Sequence, residues 1–134
     1  VKLLGLFKDD FHHHHIVLYR ALIHSHGYFI EVTDMMKGGS LAQYLEAQAS
    51  THKGQMDDYQ AARIFKHVLS ALKYLHSRYL IHRDLRPEQI YFKTKGDLDS
   101  IKLCDLWCIA RVPKEKGTGN PMAFRDASIP IDIL

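Results

Sequence analysis

The stretch Ile81-His82-Arg83-Asp84-Leu85-Arg86-Pro87-Glu88-Gln89-Ile90-Tyr91-Phe92, followed by Ile101-Lys102-Leu103-Cys104-Asp105-Leu106-Trp107, is where this chain names its chemistry. Asp84 stands in a loop stiffened by Pro87, Gln89 offers an amide five positions on, and Asp105 ends a short apolar run. One carboxylate can accept a hydroxyl proton, and two further groups can hold Mg²⁺. That is the equipment phosphoryl transfer needs.

Upstream, Ile64, Phe65, Val68, Leu72, Leu75 and Tyr79 recur at three- and four-residue steps, which predicts one apolar face on a helix. Asp57 is placed to cap that helix, which should run to about Arg78. Lys37-Gly38-Gly39-Ser40 breaks a strand pattern, and Ser40 can cap a shorter helix from Leu41 to about Gln48. Ala49 to Gln55 reads as polar loop. Val17 to Ile23 and Tyr28 to Thr33 are rich in β-branched and aromatic residues, and the turn chemistry of His24-Ser25-His26-Gly27 joins them into an expected hairpin.

The 134 residues, 46% hydrophobic and 25% charged, describe one globular unit with a sizeable core. A formal charge of +3, spread along the chain, gives no support to nucleic-acid binding. Apolar runs are too short for a bilayer span and the first residues lack the plan of a secretion signal, so no membrane role and a cytosolic or nuclear setting are expected. Cys104 and Cys108 are the two cysteines, and neither a disulfide framework nor a metal site is expected of them. His12 to His15 are consecutive, so their side chains do not converge on one ion, and a solvated loop is the expectation there.

Taken in order, His82-Arg83-Asp84-Leu85-x-Pro87-Glu88 after a long amphipathic helix and before a strand ending in Asp105 resembles a protein kinase domain of the serine/threonine type. The resemblance implies an α+β, partial protein-kinase-like fold: the last N-lobe strands, the hinge and the first half of the mainly helical C-lobe. It divides the chain into an N-lobe end at 1–33, a hinge at 34–39 and an incomplete C-lobe at 40–134. It implies ATP and Mg²⁺ as cofactors and a protein as substrate or partner. Thr33 falls at the gatekeeper position, and Asp34-Met35-Met36 would offer backbone groups to adenine. Asp84 and Arg86 are the implied catalytic residues, Arg86 standing where such kinases place a lysine on the transferred phosphate. Gln89 and Asp105 are the implied metal ligands.

Several positions depart from the family's pattern. Gln89 replaces an asparagine and carries its amide oxygen one methylene further out, an error that Mg²⁺ tolerates poorly. Leu106 takes the place of a phenylalanine, Trp107 that of a glycine, and Cys108 is an extra residue. An indole there restricts the backbone and adds bulk beside the metal, so Asp105 is expected to be misaimed. Gly117 to Arg125 resembles the end of an activation segment, with Arg125 where an acidic residue is usual and Glu115 as a candidate acidic partner for Arg83. Thr118 belongs to its substrate-facing end, and Asp132-Ile133-Leu134 resembles the start of the next buried helix.

No Gly-x-Gly-x-x-Gly occurs in these residues, and no strand lysine with a partner glutamate is recognisable. Two readings follow: a kinase segment that is inactive or very weak as a separate chain, or a pseudokinase that binds partners. Unpaired strand edges and an unmatched helix face lead to a further expectation, that the isolated chain self-associates.

Overall fold

The computed structural model describes residues 12–50 and 56–111. Turn chemistry and β-branched residues produce the expected hairpin, with β1 spanning Tyr19–Ser25 and β2 spanning Tyr28–Thr33. Its register pairs Tyr19 with Thr33 and Ser25 with Tyr28, with an irregularity between Tyr19 and Ala21. The tight connection needs left-handed backbone, which His26 (φ 49°) and Gly27 (φ 81°) supply. Val17 lies before the strand rather than in it. It is buried, and its amide donates to the Leu103 carbonyl at 2.9 Å, so the segment ending at Leu103 captures it before the hairpin begins.

Both helix caps form as their side chains predict. Ser40 Oγ accepts from the Gln43 amide at 3.2 Å while the Gln43 side chain accepts from the Ser40 amide at 2.9 Å, a reciprocal capping box for α1, Leu41–Ala49. Asp57 accepts from the Gln60 amide at 2.8 Å and opens α2, Asp58–Ser77, with Arg78 as its C-cap. The buried stripe of α2 is Ile64, Val68, Ala71 and Leu75, with Leu72 partly covered. Phe65 corrects the expected face: it is 65% exposed, because the 100° step from Ile64 carries it round the helix away from the core. Ala71 takes its place in the stripe, and its small side chain lets the helix lie close to what it covers. Tyr79 falls just past the helix in left-handed backbone (φ 59°) and is partly buried.

The remaining elements are short. β3 (Leu80–Ile81) pairs antiparallel with β6 (Ala110–Arg111), and β4 (Ile90–Phe92) pairs antiparallel with β5 (Ile101–Leu103). Single 3-10 turns at Pro87–Gln89, Leu98–Ser100 and Leu106–Cys108 set the ends of these strands. The core fills the space between α2 and the β4–β5 pair, with Leu75, Leu80, Ile101 and Leu103 fully buried. Gly38 runs so close to β4 that an added Cβ would sit 2.5 Å from Phe92 Cβ, so only glycine permits this approach. Among the described residues no helix is long and apolar enough to cross a membrane.

The histidine run is not the solvated loop expected. His13 Nδ1 accepts from the His15 amide at 3.1 Å while its Nε2 shares a hydrogen bond with Ser70 Oγ at 3.2 Å, and its ring lies 5.1 Å from that of Tyr74 on α2. His15 Nδ1 donates to the Ile101 carbonyl at 2.9 Å, and its ring stacks on His67 with centroids 4.1 Å apart. His67 in turn donates to Asp99 at 2.7 Å, beside Arg63 at 2.5 Å. Lys102 reaches the His14 carbonyl at 2.6 Å. The segment before the hairpin is thus pinned to α2 and β5 through imidazole hydrogen bonds and ring contacts.

That docking has a pH signature. Burial, then the neighbouring His14 and Lys102, lower the affinity of His13 for a proton. Burial lowers that of His15 as well, and His67, His14 and His13 add to the effect against the opposing pull of the Ile101 carbonyl. A histidine whose folded pKa lies below its unfolded value takes up more protons when unfolded, so stability is full above pH ~6.5 and falls as pH drops through that value. Protonating His13 also turns Nδ1 from acceptor to donor against the His15 amide. Thermal melts from pH 7.5 to 5 should fall in midpoint for the native chain and flatten for a His13→Asn/His15→Asn variant. Equal slopes in the two proteins would refute the role of this cluster.

Candidate active site

His82 is 3% exposed, its Nε2 donating to the Cys104 carbonyl at 3.1 Å and its Nδ1 accepting from the Asp84 amide at 3.3 Å. This ring is a spacer that fixes the Asp84 backbone relative to the end of β5. Sequence reasoning assigned His82 no role, though its place within the motif was a sufficient signal. Between the two, Arg83 adopts left-handed backbone (φ 67°), which swings the chain so that its guanidinium reaches the Cys108 carbonyl. Its suggested partner Glu115 lies outside the described residues, as do Thr118, Arg125, the whole run from Gly117 to Arg125, and Asp132 to Leu134.

Asp84 is half-exposed and gathers two of the expected residues about its carboxylate. Arg86 Nη2 lies 3.3 Å from Asp84 Oδ2, and Gln89 Nε2 donates to the same oxygen at 3.4 Å. Arg86 is therefore an ion-pair partner of the candidate base rather than a free surface charge. Gln89 is buried, with its amide nitrogen turned toward Asp84. The Cys104 amide donates to the Gln89 carbonyl at 2.8 Å, which ties the segment carrying Gln89 to the one carrying Asp105.

Asp105 is half-buried and lies in left-handed backbone, φ 55° and ψ 69°. This corrects the expectation that Trp107 would carry the backbone restriction. Trp107 sits in an ordinary 3-10 turn, and the unusual angles fall on the aspartate itself. The indole is 45% exposed and meets the Phe29 ring edge-on at 6.3 Å, so it spans toward the hairpin instead of filling the core. Leu106 fills the core, 2% exposed. Cys104 is buried, which pushes its thiol up to about 12, and Cys108 is exposed; both are free. A buried neutral thiol of this kind is packing.

The chain leaves the hairpin at Thr33, which is exposed, and the Asp34 amide donates back to the Leu18 carbonyl at 3.1 Å. Asp34 pairs with Arg20 at 2.6 Å, and that guanidinium holds its carboxyl below the usual range. Met35 is 75% exposed, whereas Met36 is partly buried. The Lys37 amide then bonds the Lys93 carbonyl and the Gly38 amide the Phe92 carbonyl at the end of β4, so this segment is anchored at both ends.

For the implied Mg²⁺, the donor set is chemically suitable, because Asp105 and Gln89 both offer oxygen to a hard cation that expects its other positions from phosphate and water. Among the described residues no group of three or more His, Cys, Asp or Glu side chains converges as a metal cage.

Tyr19 and Glu31, which sequence reasoning did not single out, also meet this region. The Leu106 amide donates to the Tyr19 hydroxyl at 3.0 Å, and Glu31 lies diagonally across the hairpin from Tyr19.

Comparison with known proteins agrees with this geometry. The family model described as "Protein kinase domain" matches residues 6–123. A rye protein named carbon catabolite-derepressing protein kinase is 30% identical over 105 residues, covering 78% of this chain and 19% of that protein. The Caenorhabditis briggsae serine/threonine-protein kinase dkf-2 is 30% identical over 122 residues, 91% of this chain and 10% of that protein. MAP kinase-activated protein kinase 2 of Drosophila melanogaster is 36% identical over 74 residues, 55% of this chain and 20% of that protein. The chain therefore spans a fifth or less of the length of these relatives. With the catalytic loop, the β4–β5 pair and the Asp105 turn standing in this order and arrangement, the chain belongs to the protein kinase domain family, as a partial domain of the serine/threonine type.

Proposed function

We propose that this chain carries the hinge, catalytic loop and metal-ligand turn of an ATP-dependent kinase acting on protein serine or threonine, and that as a separate chain it is inactive or very weak. The observation that carries the reading is the convergence of Arg86 and Gln89 on Asp84, backed by buried His82. Asp84 would take or orient the proton of the substrate hydroxyl, and Arg86 would move from its ion pair to the transferred phosphate. Asp105 and Gln89 would hold Mg²⁺, which when bound neutralises charge on the phosphates. Adenine would meet the backbone of Thr33, Asp34 and Met36. The division into N-lobe end, hinge and C-lobe part follows the same assignment.

A second reading, a pseudokinase acting as a protein-binding scaffold or regulator, is favoured by one observation. Trp107, where the family pattern has a glycine, meets Phe29 of the hairpin edge-on at 6.3 Å, so an indole bridges the turn after Asp105 and the hairpin. The exposed apolar side chains of the hairpin, among them Ile30 and Val32, and its two-stranded sheet also support self-association of the isolated chain.

Calorimetry separates the two readings. With Gln89 one methylene too long and Asp105 in left-handed backbone, ATP should bind with a Kd on the order of 0.1–1 mM, and Mg²⁺ should improve this by less than about tenfold. A complete absence of ATP binding would favour the scaffold. A large Mg²⁺-dependent gain that Asp105→Ala abolishes would show the metal site to be well formed.

A further inference from the structure

The turn that bears Asp105 needs something to hold it. Left-handed backbone at a residue other than glycine is unfavourable, and such angles persist only where surrounding contacts fix them. At the far end of the turn, Arg83 bonds the Cys108 carbonyl. At the near end, the partner is a side chain from the hairpin: the Leu106 amide, next to Asp105, donates to the Tyr19 hydroxyl at 3.0 Å.

Tyr19 and Glu31 lie on one face of the hairpin. Tyr19 is paired in register with Thr33, and Glu31, two positions along β2, is its diagonal neighbour on that face, within reach of long side chains. The phenol oxygen accepts from Leu106, and its proton is then available to the Glu31 carboxyl. A hydroxyl that donates to a carboxylate becomes a better acceptor in turn, so the two bonds strengthen one another. Glu31 is half-buried on that face.

We infer that Tyr19 and Glu31 are positioning residues for Asp105, forming a relay from Glu31 through the Tyr19 hydroxyl to the Leu106 amide that sets the turn presenting this carboxylate. The inference deepens the proposed kinase site and rests on it for the role of Asp105. The hairpin thereby acquires a chemical role, since the N-lobe side of the cleft fixes a ligand that belongs to the C-lobe side.

Hydrogen exchange by NMR on the full 134-residue chain reads the relay directly. Tyr19→Phe keeps the ring and removes the acceptor, and it should speed exchange at the Leu106 amide about tenfold while leaving Ile101 and Leu103 amides unchanged. Glu31→Gln keeps an acceptor for the phenol and should retain most of the protection, whereas Glu31→Leu should lose it. Mn²⁺ added to the native chain should broaden Asp105 and Gln89 resonances, and Tyr19→Phe should weaken the effect at Asp105.

Unchanged Leu106 exchange in Tyr19→Phe overturns the inference, as does equal acceleration throughout β5. Equal loss of protection in Glu31→Gln and Glu31→Leu removes Glu31 from the relay and overturns it as stated. Exchange that responds as expected while Mn²⁺ broadens nothing supports the relay and refutes only the metal role of Asp105.

Discussion

Leu75→Ala is expected to cost about 2–5 kcal/mol of folding stability, the largest single loss among conservative truncations of α2. Leu75 is fully buried on the stripe that also contains Ile64, Val68 and Ala71. Its removal takes away apolar contact and leaves a cavity that the helix cannot close without moving off the short strands beneath it. Those strands have two or three residues each, so they have little independent means of holding the core together. Since a whole domain is stable by about 5–15 kcal/mol, this change alone would bring the chain close to unfolding. Leu69→Ala on the same helix supplies the comparison, because Leu69 is 58% exposed and its truncation should cost no more than about 0.5 kcal/mol. Urea titrations of the two variants decide the matter: similar midpoints would mean that the core is not where the burial of α2 places it.

The same pair of residues shows what periodicity can and cannot read. Three- and four-residue spacing identified α2 and most of its buried side, and the caps at Ser40 and Asp57 were legible because each is a bond between residues three apart. Phe65 was misread because a wide apolar arc on a helix does not say which edge of the arc meets a partner. The hairpin was legible from its turn chemistry, although β1 begins two residues later than expected because Leu103 pairs with Val17 first.

The site divides along the same line. Asp84, Arg86 and Gln89 lie within six consecutive residues, and one short turn brings their side chains together, so the motif sufficed to bring them to notice. Tyr19 and Leu106 are 87 positions apart, and nothing local to either marks the bond between them. The histidine cluster failed for a related reason. The partners of these imidazoles, Ser70, His67 and Ile101, come from elements more than fifty positions downstream. The left-handed angles of Asp105 are a product of that tertiary setting too, and sequence reasoning placed the strain on the bulky neighbour instead.

Phosphate transfer from ATP to a generic serine/threonine peptide by this chain alone should not exceed that of its Asp84→Asn variant. Complete kinases turn over at about 1–100 s⁻¹, and they do so almost entirely by positioning and charge stabilisation, with little covalent chemistry for the protein to perform. The convergence on Asp84 supplies one part of that arrangement, a candidate proton acceptor with a cation beside it at 3.3 Å. The parts that would hold the α-, β- and γ-phosphates against it, a Gly-x-Gly-x-x-Gly run and a strand lysine paired to a glutamate, are not recognisable among these 134 residues. Without them a bound nucleotide would present its γ-phosphate in no fixed direction, and misplacement by an ångström already costs on the order of a hundredfold. A carboxylate in that setting contributes nothing that an amide does not, so the two proteins should be indistinguishable. A radiolabelled ATP assay at saturating peptide measures the difference. Turnover by the native chain well above that of Asp84→Asn would show that the described half-site is sufficient for catalysis, and the proposal of inactivity as a separate chain would then have to be abandoned.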